Sequence, residues 1–401
     1  MRYFLIVFFV YIVGEKLIVN TGGSVSGSFQ SSNAAYFLAF YTLVFVLFIL
    51  FKDLKKILFI KNRFYVILPL FYYLLGLILS GVSLLPVVSA FRSSIGIGFI
   101  LLSGTIGHYL NNFNIDISLK LYYKLLITIL IAGIIGKILY SYLYISGFSI
   151  LNLQAGYIGL ISLYIGIWNF IEYKNKKGRR YLFNMILFIL IALLLHSFSS
   201  FLAFYIAFSY VIFLYKHRIM SLLLIGSPIL LLSAVITYLN NNLDTIIFGK
   251  PAAAYLIGSG RFDIYPAAES AFYNFDLLHK VLGIGFMAER NILSKYDLTW
   301  SIDPHNSFIV SILGLGVLGA FLYLLFIIVP FFMKKRILIY QSKSIFLKWI
   351  TMHIMFTIFG ITSSDYLARP SILLILYIIL SFIIFNINIK KEKNVRANIT
   401  R

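Results

Sequence analysis

Cysteine is absent from the chain. Its absence excludes disulfides, zinc-thiolate sites, iron–sulfur clusters and thiol nucleophiles. Charge is scarce as well: Asp, Glu, Lys and Arg make up 12% of the residues, against about 25% in an ordinary soluble domain. Acidic residues are the scarcest, 13 against 34 Lys and Arg. There is no Gly-rich nucleotide loop of the Walker type, so direct ATP hydrolysis has no footing. No Gly-x-Ser-x-Gly elbow or His-Glu-x-x-His pair occurs either. We find no internal repeat, no low-complexity tract and no separate soluble domain.

What the chain has instead is apolar surface. It is 61% hydrophobic and 18% aromatic, with a mean hydropathy of +0.95. Apolar runs of roughly 18–25 residues recur along its length, each long enough to cross a bilayer core. A β-barrel would alternate over about ten residues per strand. The composition therefore predicts an all-α, polytopic integral membrane protein. The formal charge of +21 does not indicate nucleic acid, because the Lys and Arg sit in short clusters between apolar runs. Met1-Arg2 and the apolar run Tyr3–Val13 resemble a signal, but no small-residue cleavage site follows. They read as an uncleaved first membrane helix.

Twelve spans are expected, at roughly 3–20, 34–51, 64–82, 93–110, 121–142, 153–171, 181–197, 200–215, 219–237, 307–331, 346–363 and 370–388. Clusters at Lys52 to Arg63, Lys174 to Arg180, Lys216 and Arg218, Lys334 to Arg336, and Lys390 to Arg401 mark one set of alternate loops as cytoplasmic. Both termini fall on that side. Residues 1–401 then form a single transmembrane domain, with 239–306 as a large external loop between the ninth and tenth spans.

That loop concentrates the polar chemistry. It holds seven of the 13 acidic residues: Asp244, Asp263, Glu269, Asp276, Glu289, Asp297 and Asp303. Apolar residues at helical spacing (Ile264, Ala267, Ala271, Phe275, Leu278) predict one amphipathic helix from Asp263 to Val281, lying near the interface. Gly258-Ser259-Gly260 precedes it as a turn, and Gly283-Ile284-Gly285 ends it.

Three side chains stand out. His305, after Pro304 and where the loop becomes a span, can take a proton from a hydroxyl. The competing reading is an interfacial His that caps the helix with Asp303 or Asn306. Arg261, beside Gly258 and Gly260, has the planar donor fork that suits a phosphate or diphosphate. Its bland counterpart is a solvated Arg paired with Asp263 or Glu269. Arg92, at or just inside the outer end of the fourth span, needs a partner or a function at that depth; alternatively it snorkels to the surface. Arg369 and Asp365 share the last outer loop and could simply pair. His196 occupies the tip of the seventh–eighth hairpin, whereas His108 and His353 read as packing residues. Asp303 and His305 have metal-ligand spacing but no evident third ligand, so no metal site is assigned.

Gly260-Arg261, Gly283-Ile284-Gly285-Phe286, Pro304-His305-Asn306-Ser307-Phe308 and Leu313-Gly314-Leu315-Gly316-Val317-Leu318-Gly319 follow one another in a fixed order. In that order, from Gly258 to Gly319, the chain resembles the O-antigen polymerase and O-antigen ligase superfamily (Wzy-like and WaaL-like enzymes). The layout of about twelve spans agrees over nearly the whole chain. One feature departs: an Arg after Ser-x-Ser at a central hairpin tip is missing from Ser197-Phe198-Ser199-Ser200, leaving His196 or Arg92 to stand in.

The resemblance implies a GT-C-like membrane fold and a metal-independent glycosyltransferase that needs no cofactor. Its donor would be a polyprenyl-diphosphate-linked oligosaccharide, used at the outer face of the cytoplasmic (inner) membrane. His305 would act as general base and Arg261 would stabilise the diphosphate leaving group. Arg92, His196, Asp303, Asn306 and Arg369 would bind substrate. Partners would be the lipid-linked donor, the bilayer and a chain-length regulator. A repeat-unit polymerase making O-antigen or capsule is the favoured activity. The alternatives are ligase-type transfer to a lipid or protein acceptor, and a lipid-linked oligosaccharide flippase. The last fits twelve spans but not the lack of a repeat.

Overall fold

A computed structural model describes residues 64–110, 113–139, 155–195, 197–217, 220–221, 246–247, 250–251, 261–296, 304–333, 342–363 and 366–399. The expected first and second spans, and nearly all of the ninth, lie outside these residues.

The described chain is helical. In order it forms α1 (Phe64–Ile78, extended by a 3-10 turn Leu79–Val82), α2 (Pro86–Leu110), α3 (Ile115–Lys137), α4 (Ala155–Lys176), α5 (Arg179–Leu194) and α6 (Phe198–Leu214). A two-residue antiparallel pair follows, β1 (Ile246–Ile247) with β2 (Lys250–Pro251). Then come the short helices α7 (Arg261–Tyr273), α8 (Leu277–Leu282) and α9 (Ala288–Leu293). The long helices α10 (Ser307–Phe332), α11 (Lys343–Ser363) and α12 (Ile372–Ile399) complete the fold. Among the described residues, six helices are long and apolar enough to cross a membrane, and two shorter apolar helices, Ser199–Leu214 and Ile372–Phe385, accompany them. The protein is an all-α, polytopic membrane protein.

The centre of the bundle is α11, which packs against α4, α6, α10 and α12. Every residue from Ile345 to Thr357 is buried, the all-round burial expected of a helix enclosed by others. Several polar groups inside are paired across neighbouring helices, as a dry interior favours. Trp349 Nε1 donates to Ser381 Oγ at 2.8 Å, and Tyr164 and Tyr122 hydroxyls donate to the carbonyls of Lys348 and Leu376. His353 is one of these packing residues: its Nδ1 meets the Tyr366 hydroxyl at 3.0 Å and its Nε2 the Ile327 carbonyl at 2.9 Å. Lys348 pairs with Glu172 and lies 4.5 Å over the Trp168 ring, pinning α11 to α4.

Two sequence expectations are corrected here. The helix of the expected fourth span, α2, begins at Pro86 and not at 93, so of the two placements offered for Arg92 the structure has the one inside the helix. The single helix expected from Asp263 to Val281 is two helices. Asp276 has extended backbone (φ −65°, ψ 170°), and its carboxylate accepts from His279 N at 2.8 Å, starting a new helix. That N–H, with the His279 ring, holds the exposed Asp276 carboxyl below its ordinary range. The apolar spacing is real on the first half only. Ile264, Ala267 and Ala271 are buried, Ile264 and Ala267 in a small cluster with Leu293 and Leu313, whereas Leu277 and Leu278 are exposed.

Candidate functional site: two arginines about a buried glutamate

The site is built around a seam between the two glycine motifs. α10 is broken at Gly316, whose φ of 64° and ψ of −160° are not helical. The break removes the helical acceptors' usual partners, and the link between α8 and α9 supplies others. Ile284 N donates to Leu313 O at 3.0 Å, and Gly285 N donates to Gly314 O at 2.9 Å. On its other side the same link is held by the α1–α2 connection. Leu84 N and Ser83 Oγ each donate to Ile284 O at 3.0 Å, and Phe286 N donates to Ser89 Oγ at 3.2 Å. A non-helical segment at this depth is tolerable because its backbone groups are paired with protein.

Two of the glycines are required by close approach. A Cβ on Gly283 (φ 77°) would lie 2.4 Å from the Gly314 carbonyl, and one on Gly316 would lie 2.3 Å from Val281 O. Gly283→Ala should cost roughly 1–3 kcal/mol for the strained backbone and a similar amount for the clash. Thermal unfolding of the detergent-solubilised variant measures the loss; a melting temperature equal to wild type would show that the seam can open without cost.

The seam delivers three residues inward. Phe286 is fully buried against Tyr72 and Tyr73, at ring separations of 5.6 and 5.9 Å. Met287 adopts φ 69°, a left-handed turn uncommon for a non-glycine residue. After that turn, Ala288 and Glu289 are both fully buried in the first turn of α9.

Glu289 lies between two guanidinium groups. Arg92 Nη1, on α2, is 3.7 Å from Glu289 Oε1, and Arg369 Nη2, in the turn before α12, is 3.8 Å from the same oxygen. Arg92 is 1% exposed and Arg369 13%. Arg92 is held from several sides. Nη2 donates to Ala368 O at 3.0 Å, Nη1 contacts Met287 Sδ, and the guanidinium sits 5.2 Å over the Phe286 ring. The turn that carries Arg369 is itself fixed, because Tyr73 donates to Leu367 O and Tyr366 meets His353. Next to the pair, Tyr72 and Ser311 hydroxyls are 2.8 Å apart. Ser311 donates to Ser307 O, so Tyr72 is the donor to Ser311.

Ser307 opens α10, immediately after the motif His. Asn306 is the N-cap, its side chain accepting from Phe308 N at 2.9 Å and Ile309 N at 3.3 Å. Asn306→Ala should therefore cost about 1 kcal/mol of stability, readable as a lowered melting temperature; no change would mean that water replaces the cap freely. His305 is half-buried with φ 47°, and it is not the helix cap.

Of the residues singled out from the sequence, Arg92 and Arg369 are thus brought together, and His305 and Asn306 stand at the start of α10. Arg369 approaches Glu289; Asp365, its expected partner, lies outside the described residues, as do His196 and Asp303. Arg261 opens α7, and its side chain lies outside the described residues too. Sequence reasoning missed Glu289, Tyr72 and Ser311 as site residues. A carboxylate three positions after a Gly-x-Gly-Phe motif was the available signal, since such a motif fixes where the following residues point. Among the described residues no three His, Asp or Glu gather as metal ligands, and two flanking guanidiniums make Glu289 a poor cation ligand.

No curated protein and no solved structure is matched by this chain. Residues 183–324 match the family model Wzy_C, described as O-antigen ligase. This stretch runs from α5 to within α10 and contains Arg261, the glycine seam, Glu289, His305 and Asn306. Over this stretch the chain is similar to the O-antigen ligase family of glycan-transferring membrane enzymes.

Proposed function

We propose that this protein polymerises polyprenyl-diphosphate-linked oligosaccharide repeat units into surface polysaccharide, O-antigen or capsule, at the outer face of the cytoplasmic membrane. The observation that carries the reading is the buried Arg92–Glu289–Arg369 cluster packed against the glycine seam through Phe286 and Met287. A diphosphate carries its charge on the non-bridging oxygens of two linked phosphates, and paired guanidinium forks are the side chains best matched to it. The acceptor's sugar hydroxyl attacks the anomeric carbon of the donor and gives its proton to His305. The bond from that carbon to the diphosphate oxygen breaks, and the diphosphate leaves with the electron pair. Arg92 and Arg369, with Arg261 on the loop, stabilise the charge that develops there. The donor brings its own leaving group, so neither nucleotide nor metal is required. The Lys and Arg clusters support placing both termini in the cytoplasm and 239–306 outside. A chain-length regulator is a partner of this reading.

The matched family's description favours a second reading, transfer of a finished glycan to a lipid or protein acceptor. One assay separates the two. Purified protein in lipid is supplied with polyprenyl-diphosphate-linked repeat units. A ladder of longer lipid-linked glycans supports the polymerase; one transferred block on an added acceptor supports the ligase. Transbilayer movement of the lipid without elongation overturns both.

A further inference from the structure

Glu289 is a buried carboxylate with no use in the chemistry above. It is fully buried, and burying an ionised carboxylate is costly unless strong hydrogen bonds compensate. Here neither oxygen accepts a hydrogen bond among the described residues. A structural Arg–Glu bolt would be expected as a bidentate fork with N–O distances near 2.8 Å. Instead, one oxygen stands 3.7 Å from Arg92 and 3.8 Å from Arg369. The carboxylate holds both guanidiniums by charge while using none of their N–H donors. Arg92 Nε likewise has no hydrogen bond among the described residues. The chain turns sharply to put the carboxylate there: Gly283, Gly285 and Met287 all have positive φ in the six residues that lead to it, and for Met287 that conformation is strained. Strain of this kind persists where the surrounding structure imposes it, and it gathers at functional sites.

Resting on the diphosphate reading, we infer that Glu289 is a positioning residue that acts as the counter-charge of the arginine pair. It keeps Arg92 and Arg369 close together when no diphosphate is bound. It also weakens their hold on a diphosphate enough for the released polyprenyl diphosphate to depart. Two arginines without it would repel one another when empty and would retain the product when filled. The triad as built carries two positive charges and one negative. Removing the negative one raises anion affinity and slows product release, so affinity and turnover move in opposite directions.

The test uses the full chain in lipid nanodiscs, with farnesyl diphosphate as probe and inorganic pyrophosphate as a second arm. Glu289→Gln keeps the size and removes the charge. It should bind farnesyl diphosphate at least about tenfold more tightly, with a steeper loss of affinity as salt rises. In the glycan assay it should lower KM and kcat together. Glu289→Asp, which withdraws the same charge by one methylene, should tighten binding by a smaller factor, and it decides the matter if the Gln variant does not fold. Unchanged or weaker binding in the folded variants, with wild type binding normally, overturns the counter-charge role and leaves the diphosphate site standing. Failure of wild type and variants alike to bind farnesyl diphosphate overturns the diphosphate reading and this inference with it. Equal tightening of pyrophosphate locates the effect at the phosphates; tightening of the lipid diphosphate alone assigns it to lipid packing and overturns the inference.

Discussion

Arg92→Ala should bring glycan transfer down by about 10²–10³-fold from the lost donor alone, and it should also destabilise the protein. Arg92 joins three elements. It donates to Ala368 O in the turn before α12, covers Phe286 in the glycine seam and faces Glu289 on α9. Its removal leaves a fully buried carboxylate with Arg369 as its remaining ion-pair partner among the described residues. Breaking a buried ion pair by deleting one member costs about 3–5 kcal/mol. Activity and stability therefore fall together, and the alanine variant alone cannot separate them. Arg92→Lys does. Its ammonium preserves the charge opposite Glu289, so the melting temperature should recover in part. A single ammonium cannot present a planar fork to Ala368 and to a diphosphate at once, so transfer should stay more than about tenfold below wild type. Full activity in the Lys variant would remove Arg92 from diphosphate binding and leave it a structural cation.

The contrast between Arg92 and Glu289 shows what a single sequence makes legible. An Arg inside an apolar run is conspicuous because the membrane makes it expensive. A Glu in a loop with six other acidic residues is not, although the structure buries both. Their meeting, and that of both with Arg369, depends on the packing of α2, α9 and the turn before α12, and no local pattern encodes it. The long helices of the described residues are legible from apolar run length. Their interruptions were less so. Residues 307–331 read as one uninterrupted span, yet Gly316 breaks it, because hydropathy measures transfer cost and is blind to φ. The glycines of both motifs were noticed for their order along the chain. That they are hydrogen-bonded to each other across the seam was not visible, since the pairing uses backbone atoms common to every residue. The helix expected from 263 to 281 failed for the opposite reason. Apolar spacing continued across Asn274 to Asp276, and a local Asp cap outweighed it.

His305→Ala should lower turnover by about 10²–10⁴-fold, the usual contribution of a positioned general base. The backbone at this position makes a sharper experiment possible. His305 has φ 47°, a region that glycine enters freely and that Asn tolerates better than most residues. Alanine is strained there, so loss of activity in His305→Ala has two readings: a missing base or a displaced start of α10. His305→Gly and His305→Asn keep the backbone conformation and remove the proton acceptor. Asn306 continues to cap the helix in all three, through its bonds to Phe308 N and Ile309 N. If His305 takes the acceptor's proton, all three variants are equally inactive while Gly and Asn melt near wild type. If His305 serves only to turn the chain into α10, Gly and Asn retain nearly full turnover and Ala alone is impaired. The ranking of three variants in one glycan-elongation assay thus separates chemistry from backbone shape, because the base reading requires the imidazole and the shape reading requires only the positive φ.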